Sequence, residues 1–394
     1  MEITKEDKRS VIDHCYLTYF ISGMVILIFG VILPNLIEER NLSFTAAGGL
    51  LSFLAIGNLC SSLVYPVFCG MMSQKTAYVP YPVCLFLYTM GLPVPVLYVM
   101  IFLIGITKGM ITIINNHAIR QVTGSSNQYL NLLHMWYAVG AFLSPFVTML
   151  LMGAGMNWKT ILRLLAVLTV LIVLSYATMD YRKIEKEAEK KAGEENGGSS
   201  MTKEKFWFLK NTGFLLAVGA LFFYMGLENS VNGWFVTYLK STGFMSTSLA
   251  TVMVSVTWIM IMIGRIVIAS ISKSVPPAKI LAVISVLQFV SVLILVFADH
   301  TTMAVAALIL LGLGMAGAFP TTTAFTGDLM GNSPLGMSVF TGIGSLGGIL
   351  TPQVIGVLAD KLGFQAAILF LVLDALLLAL FGIGALRYTA IQKK

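Results

Sequence analysis

Two charged residues lie deep inside otherwise apolar stretches of this chain. Lys108 stands in the run from 94 to 121, and Glu228 stands in the run from 210 to 239. A charge at the centre of a bilayer costs about 2.5–3.5 kcal/mol on insertion scales. Each charge therefore needs compensation, and two interpretations stay open: the two residues form a structural ion pair, or they face a polar solute in a wet cavity.

Each charge belongs to a stripe of polar and aromatic residues spaced three or four positions apart, which places the stripe on one helix face. Amides and hydroxyls exchange hydrogen bonds with a hydroxylated solute, and aromatic rings stack on its C–H faces. The alternative is that the amides satisfy helix–helix contacts. The predicted solute-binding residues are Lys108, Thr112 and Asn115 in the first stripe, and Tyr224, Glu228, Asn232 and Phe235 in the second.

Two titratable residues are candidates for ion coupling. Glu228, if desolvated in a cavity, would carry a proton, although an ion pair with Lys108 would compete with that role. His134 lies about two turns into a later apolar run and is the second candidate. Asp374, the one acid of the last apolar run, is expected to lie against protein or near an interface.

Composition identifies the elements that must position these residues. Of 394 residues, 57% are hydrophobic and 11% are charged, whereas a soluble domain carries roughly 25% charged residues. This excludes a soluble enzyme, a secreted disulfide scaffold and a disordered chain. The net charge of +7 is spread over short loops, so no nucleic-acid partner is predicted.

The sequence holds no nucleophile–base pair, metal-ligand spacing or phosphate loop, so we predict no enzyme activity, no metal and no cofactor.

The apolar runs predict helices, because an extended strand would leave its backbone groups unpaired in lipid. When the runs are threaded alternately, most of the 25 Lys and Arg residues fall on one side of the membrane. Both termini lie on that side, and are therefore predicted to be cytoplasmic in a plasma or inner membrane. The predicted spans are 12–37, 44–72, 76–91, 94–121, 128–152, 159–179, 210–239, 246–272, 277–298, 301–328, 334–357 and 364–387.

A charged stretch divides the spans into two halves. We predict an N-terminal six-helix bundle at 1–179, a cytoplasmic linker at 180–206 and a C-terminal six-helix bundle at 207–394. The halves match at one constant offset, which aligns GAFLSP from Gly140 with GGILTP from Gly347. Two repeated six-helix halves are typical of secondary transporters. The predicted fold is therefore an all-α membrane protein with 12 transmembrane helices in two pseudo-symmetric bundles.

Four longer motifs carry a family resemblance: LNLLHMWYAVGA from Leu130, GLENSVNGWFVTYL from Gly226, GLGMAGAFPT from Gly312 and GIGSLGGILTPQVIGVLADKLG from Gly342. With them the chain resembles the major facilitator superfamily, and more narrowly the fucose permease-like sugar symporters. The resemblance implies the major facilitator fold. It also implies a cavity lined by the first, fourth, seventh and tenth spans, in which Lys108 and Glu228 would face each other.

The chain departs from that family in two places. The signature loop between the second and third spans reads GMMSQKT from Gly70, which keeps little of the family pattern. The first and fourth spans lack the acids through which fucose permease-like symporters couple to protons. That coupling scheme is therefore not supported for this sequence.

Together these features predict a secondary active transporter that imports a small polar solute by alternating access. The solute is predicted to be a sugar or sugar-like compound, neutral or anionic, and the coupling ion H⁺ or Na⁺. One alternative stays open: efflux of amphipathic or drug-like compounds by proton antiport on the same fold. The predicted partners are thus the solute, the ion and the lipid bilayer, and the sequence gives no basis for an oligomeric state.

Overall fold

The computed structural model describes residues 5–68, 78–123, 127–178, 207–330 and 333–392. Within these ranges the chain is helical and contains no strand. The first half contributes α1 Lys5–Arg40, α2 Phe44–Phe68, α3 Pro80–Tyr88, α4 Val94–Thr123, α5 Asn127–Gly153 and α6 Trp158–Thr178. The second half contributes α7 Thr212–Ser241, α8 Thr247–Ile271, α9 Pro277–Val296, α10 Thr301–Met315, α11 Ala318–Gly327, α12 Pro334–Leu362, α13 Phe364–Ala367 and α14 Leu369–Gln392.

The all-α membrane class predicted from the sequence is confirmed. Among the described residues, 10 stretches are long and apolar enough to cross a membrane, and α3 and α6 match the two remaining predicted spans. The predicted linker at 180–206 and the loop from Gly70 lie outside the described residues.

Proline and glycine residues set the local irregularities. Within the described part of the predicted span at 76–91, the α-helix is the nine-residue α3, with Pro at its first turn and Gly91 (φ 70°) beyond its end. The predicted tenth span breaks into α10 and α11 at Gly317, which has a φ of 70°. Glycine adopts this left-handed conformation at little cost, so the helix breaks at the glycine.

The helices form two compact units. Unit 1 contains Met1–Ile26, Ile56–Ser144 and Met156–Lys203. In it, α1 and α5 approach backbone to backbone: a Cβ on Gly23 would lie 2.2 Å from the Tyr137 carbonyl oxygen. The Ser144 hydroxyl of α5 also donates to the Met24 carbonyl oxygen of α1 at 2.8 Å. These contacts fix the face of α1 that meets α5.

Unit 2 contains Leu27–Ala55, Pro145–Gly155 and Glu204–Lys394. Its central helix is α7, which packs on α12 and α14 and buries Trp234 and Phe214 completely. The second part of α1 and the first part of α2 therefore pack with the second half of the chain. The closest approach is at Gly30, where a Cβ would lie 1.8 Å from the Asn232 carbonyl oxygen.

Candidate functional site

A polar and aromatic cluster lies in unit 1 around Tyr19, and we call it the Tyr19 cluster: Tyr19, Thr112, Asn116, His134 and Tyr137. The Tyr19 side chain is 3% exposed. Its hydroxyl accepts a hydrogen bond from Asn116 Nδ2 at 2.6 Å and donates to the Thr112 carbonyl oxygen at 3.3 Å. Asn116 Nδ2 also donates to that carbonyl at 2.7 Å. The α1 hydroxyl and the α4 amide thus hold each other in place.

Two rings of α5 complete the Tyr19 cluster. The His134 ring meets the Tyr19 ring edge-on at a centroid distance of 5.5 Å, and the Tyr137 ring meets it edge-on at 6.3 Å. His134 is exposed, although it stands well inside α5. A polar ring in the middle of a membrane-spanning helix normally faces protein or water rather than lipid. The Tyr19 cluster therefore combines a buried tyrosine and a half-buried amide with an exposed imidazole.

The predicted first stripe is placed as follows. Lys108 and Thr112 are both half-buried on α4, and the Thr112 hydroxyl donates to the Lys108 carbonyl oxygen at 3.0 Å. Asn115 is 0% exposed. Its neighbour Asn116, which the sequence reasoning did not select, is the amide that contacts Tyr19. One residue along a helix rotates the side chain by about 100°, so adjacent asparagines face different surroundings.

The second stripe lies in unit 2 and contains the Glu228 cluster: Tyr224, Glu228 and Arg265. Tyr224 is 3% exposed, and its hydroxyl donates to the Met315 carbonyl oxygen at 3.4 Å. The hydroxyl also interacts with the Glu228 side chain through a hydrogen bond, and both Glu228 and Arg265 act on it electrostatically. Glu228 is half-buried. This acid of α7 and this base of α8 therefore share one tyrosine hydroxyl as neighbour.

The last two predicted residues differ in their accessibility. Asn232 is half-buried, and its Oδ1 accepts a hydrogen bond from Trp258 Nε1 of α8 at 3.3 Å. Phe235 is 1% exposed and belongs to the packed interior of unit 2. A solute cannot stack on a ring buried in this way without repacking, so we do not carry Phe235 into the proposed site.

A third polar feature, which we call the interhelix clamp, joins α1 and α2 to helices of the second half within unit 2. Its residues are Asp360, Phe44, Thr45, Glu38 and Lys240. The Asp360 carboxylate of α12 accepts the backbone N–H groups of Phe44 and Thr45 at 2.8 and 2.7 Å. These are unpaired donors at the N-terminus of α2, where a carboxylate is favourable. Lys240 of α7 forms an ion pair with Glu38 of α1.

Sequence reasoning missed four residues of the Tyr19 and Glu228 clusters, namely Tyr19, Asn116, Tyr137 and Arg265, and it selected no residue of the interhelix clamp. Tyr19 stands mid-helix in an apolar run and carries no signal of its own. Asn116 lies one turn after Thr112, which would have suggested it. Arg265 lies inside the predicted span 246–272 but outside the two predicted stripes, and the structure places it on α8, which continues to Ile271.

The described ranges contain no group of three or more His, Cys, Asp or Glu residues that could hold a metal ion. Cys60 and Cys84 are free thiols.

Comparisons of the sequence with known families place the chain clearly. The family model described as Major Facilitator Superfamily matches residues 15–352. A protein TsgA homolog of Erwinia tasmaniensis is 23% identical over 375 residues, covering 93% of this chain and 92% of the relative. A protein TsgA homolog of Buchnera aphidicola subsp. Baizongia pistaciae is 22% identical over 365 residues, covering 90% of this chain and 89% of the relative.

Solved structures share the fold at low sequence identity. A crystal structure of the nucleoside transporter NupG aligns with a TM-score of 0.75 and 15% identity, covering 97% of this chain and 99% of that one. A bacterial homolog of the human lysosomal transporter Spinster aligns with a TM-score of 0.72 and 13% identity, covering 98% of each chain. With its helices, its two units and the family match over most of its length, this multi-pass membrane protein belongs to the Major Facilitator Superfamily.

Proposed function

We propose that this protein is a secondary transporter that moves a small, hydroxylated solute of the sugar or nucleoside class by alternating access. The observation that carries the proposal is the Tyr19 cluster. A hydrogen-bonded hydroxyl–amide pair beside an accessible imidazole suits a solute that exchanges water for protein hydrogen bonds. Import coupled to an ion gradient, and a membrane orientation with both termini in the cytoplasm, are parts of the same proposal.

The chemistry of the two clusters favours a polar, ring-shaped solute. In the Tyr19 cluster, the His134 edge and the Tyr137 ring offer aromatic surfaces, while Asn116 supplies an amide. In the Glu228 cluster, the carboxylate can accept hydrogen bonds from solute hydroxyl groups, and the Arg265 guanidinium can donate them to hydroxyl or carbonyl oxygens. The similarity to a structure named as a nucleoside transporter adds nucleosides to the sugars that the sequence suggested.

The interhelix clamp supports the proposal of alternating access. Asp360 holds the first turn of α2, and the ion pair between Glu38 and Lys240 joins α1 to α7. The two N–H groups of α2 find a charged acceptor on another helix, so the clamp is a discrete contact that can be made or broken. We propose that it closes the outer side in this conformation and releases when the outer side opens.

Ligand binding to the purified full-length protein tests the solute class. Thermal shift is measured with uridine, a neutral hexose, a sugar acid and the hydrophobic cation tetraphenylphosphonium, and stabilising compounds are then tested for counterflow in proteoliposomes. We expect uridine or the hexose to stabilise the protein and to exchange across the membrane. Stabilisation by the cation alone would overturn the proposal in favour of efflux, and the absence of stabilisation and exchange with all four would contradict it outright.

A pair of α4 variants ties the result to the Tyr19 cluster. Asn116→Leu removes the amide that donates to Tyr19, and one lost hydrogen bond of about 1–1.5 kcal/mol corresponds to roughly tenfold weaker binding. Thr123→Val is the matched control on the same helix, because its hydroxyl donates only to the Ile119 carbonyl oxygen of its own helix. Equal affinities in the two variants would remove the Tyr19 cluster from the site.

A further inference from the structure

A buried carboxyl group lies among three helices of unit 2, on α14. Asp374 is 1% exposed. Its Oδ1 accepts a hydrogen bond from the Thr351 hydroxyl of α12 at 3.2 Å. Its Oδ2 is also buried and has no hydrogen-bond partner among the described residues. Among the described residues, one neutral hydroxyl is thus the only hydrogen-bond partner of this acid.

The backbone of α7 closes the third side of this site. A Cβ on Gly226 would lie 2.4 Å from Thr351 Oγ1 and 3.0 Å from Asp374 Oδ1, so glycine lets the helix approach the carboxyl group. One turn further along the same face, Ser230 is 0% exposed and its hydroxyl has no hydrogen-bond partner in the described part of the chain. Two buried polar groups without a hydrogen-bond partner among the described residues therefore belong to one helix junction.

No charge compensates Asp374 within the described residues. The helices that pack against α14 are α7, α9 and α13, and α12 contributes Thr351. The observed contact is the Thr351 hydroxyl, and the carboxyl group is buried. None of the titratable or charged groups on the surrounding helices compensates the charge of Asp374. These groups are Tyr224, Glu228, Tyr238 and Lys240 on α7, Lys279 on α9, Asp360 and Lys361 on α12, and Arg387 and Tyr388 on α14 itself.

We propose that Asp374 is a proton-binding site of the C-terminal helices, which holds a neutral carboxylic acid in this packing. Transfer of an unpaired carboxylate out of water is strongly unfavourable, and a single hydroxyl does not compensate it. The acid releases its proton only when α7 moves and water reaches the carboxyl group. In that step the O–H bond of Asp374 breaks, water accepts the proton and the carboxylate becomes hydrated.

This site is linked to solute through α7, and in this respect the inference rests on the proposed function. Gly226 precedes Glu228 by two residues, so the two positions point about 200° apart around the same helical turn. A shift of α7 in response to solute at Glu228 therefore changes the packing at Asp374. Because the neutral acid fits the present packing, lower pH favours this conformation and rising pH disfavours it.

Infrared spectroscopy of the full-length protein in lipid tests the protonation state without any solute. At neutral pH we expect a carboxylic acid C=O band that disappears in Asp374→Asn and persists in Asp299→Asn, a control at an exposed acid. A spectrum in which Asp374→Asn removes only carboxylate bands would overturn the proposal.

A second variant keeps the test decisive if Asp374→Asn does not fold. Thr351→Val preserves the side-chain shape and removes the one hydrogen-bond donor. We expect the carboxylic acid band to move to higher frequency, because the C=O group loses its partner. An unshifted band would show that the band belongs to another acid and would contradict the assignment.

Transport assays then separate this inference from the proposed function. With uridine or hexose as the probe, Asp374→Asn is expected to retain counterflow and to lose accumulation driven by a pH gradient. Accumulation equal to that of the wild type, or accumulation driven by Na⁺ alone, would refute coupling through Asp374 and leave transport intact. Absence of counterflow in the wild type would refute the proposed function, while the infrared result would stand by itself.

Discussion

At the scale of single residues, substitution of Lys108 distinguishes the two interpretations of the intramembrane charges, a solute contact or a structural ion pair. It is a half-buried cation on α4 in unit 1. As a solute contact it would recognise an anionic group, whereas as a structural partner it would stabilise the fold. The two roles predict different consequences of removing the charge.

Lys108→Gln is expected to weaken the binding of a sugar acid by at least about tenfold, because a hydrogen bond to a charged group is worth about 1.5–3 kcal/mol. Binding of uridine or a neutral hexose should change little. Thermal shift titrations measure both, with Lys279→Gln at an exposed position of α9 as the control. A general loss of thermal stability without ligand selectivity would instead assign Lys108 to a structural ion pair.

At the scale of elements, the first turn of α2 depends on a residue far along the chain. Asp360 accepts two N–H groups of that turn, and the partners are separated by more than 300 positions. Nearby, Ser52 of α2 donates to the Ile349 carbonyl oxygen of α12 at 2.6 Å. The junction of α2 with α12 thus combines a charged helix cap with a neutral hydrogen bond.

Asp360→Asn is expected to loosen this junction, because the amide has a single, uncharged acceptor oxygen, so one of the two N–H groups loses its acceptor and the other loses the charge. Loss of a cap costs about 1 kcal/mol, which changes a two-state population ratio about fivefold. Spin labels at Leu42→Cys and Leu362→Cys would report a growing long-distance population by electron paramagnetic resonance.

The control for this measurement is Asp299→Asn, an exposed acid whose carboxylate is paired with its neighbour His300. It removes the same charge from a loop rather than from a helix cap. If both variants left the distance distribution of the labelled protein unchanged, Asp360 would not be part of a gate.

At the scale of the whole molecule, the distribution of Lys and Arg predicts the orientation in the membrane. An even number of spans with both termini on the basic side follows from that distribution. Fusion of alkaline phosphatase and of green fluorescent protein to either end of the chain measures the orientation. We expect fluorescence and no phosphatase activity at both ends, and phosphatase activity at one end alone would show an odd number of spans.

Several features of the fold followed from the sequence because the bilayer allows few solutions. Backbone groups in lipid must pair within their own segment, so long apolar runs become helices wherever they occur. The structure reproduces these local properties. It departs from the uniform predicted spans at Gly317, where the tenth span breaks, and at α3, which is short and begins with a proline.

The contacts of the site required tertiary structure. A membrane helix is apolar around most of its circumference, so periodicity does not indicate which face meets a neighbour. The sequence therefore selected Asn115 on α4, whereas Asn116 contacts Tyr19. It also favoured Phe235, which the packing of unit 2 buries. Spacing along one helix gives a stripe, but only the neighbouring helix decides which members of the stripe are used.

The sequence by itself determined the helical membrane class, the spans and the family, because these depend on hydropathy and on short motifs. Tertiary structure alone brought Asp360 to the start of α2, and Thr351 and Gly226 to Asp374. Such pairs join groups that are far apart in sequence but close in space. A polar group that is buried or at a helix end is costly to leave without a hydrogen-bond partner, and helix packing determines which partner it contacts.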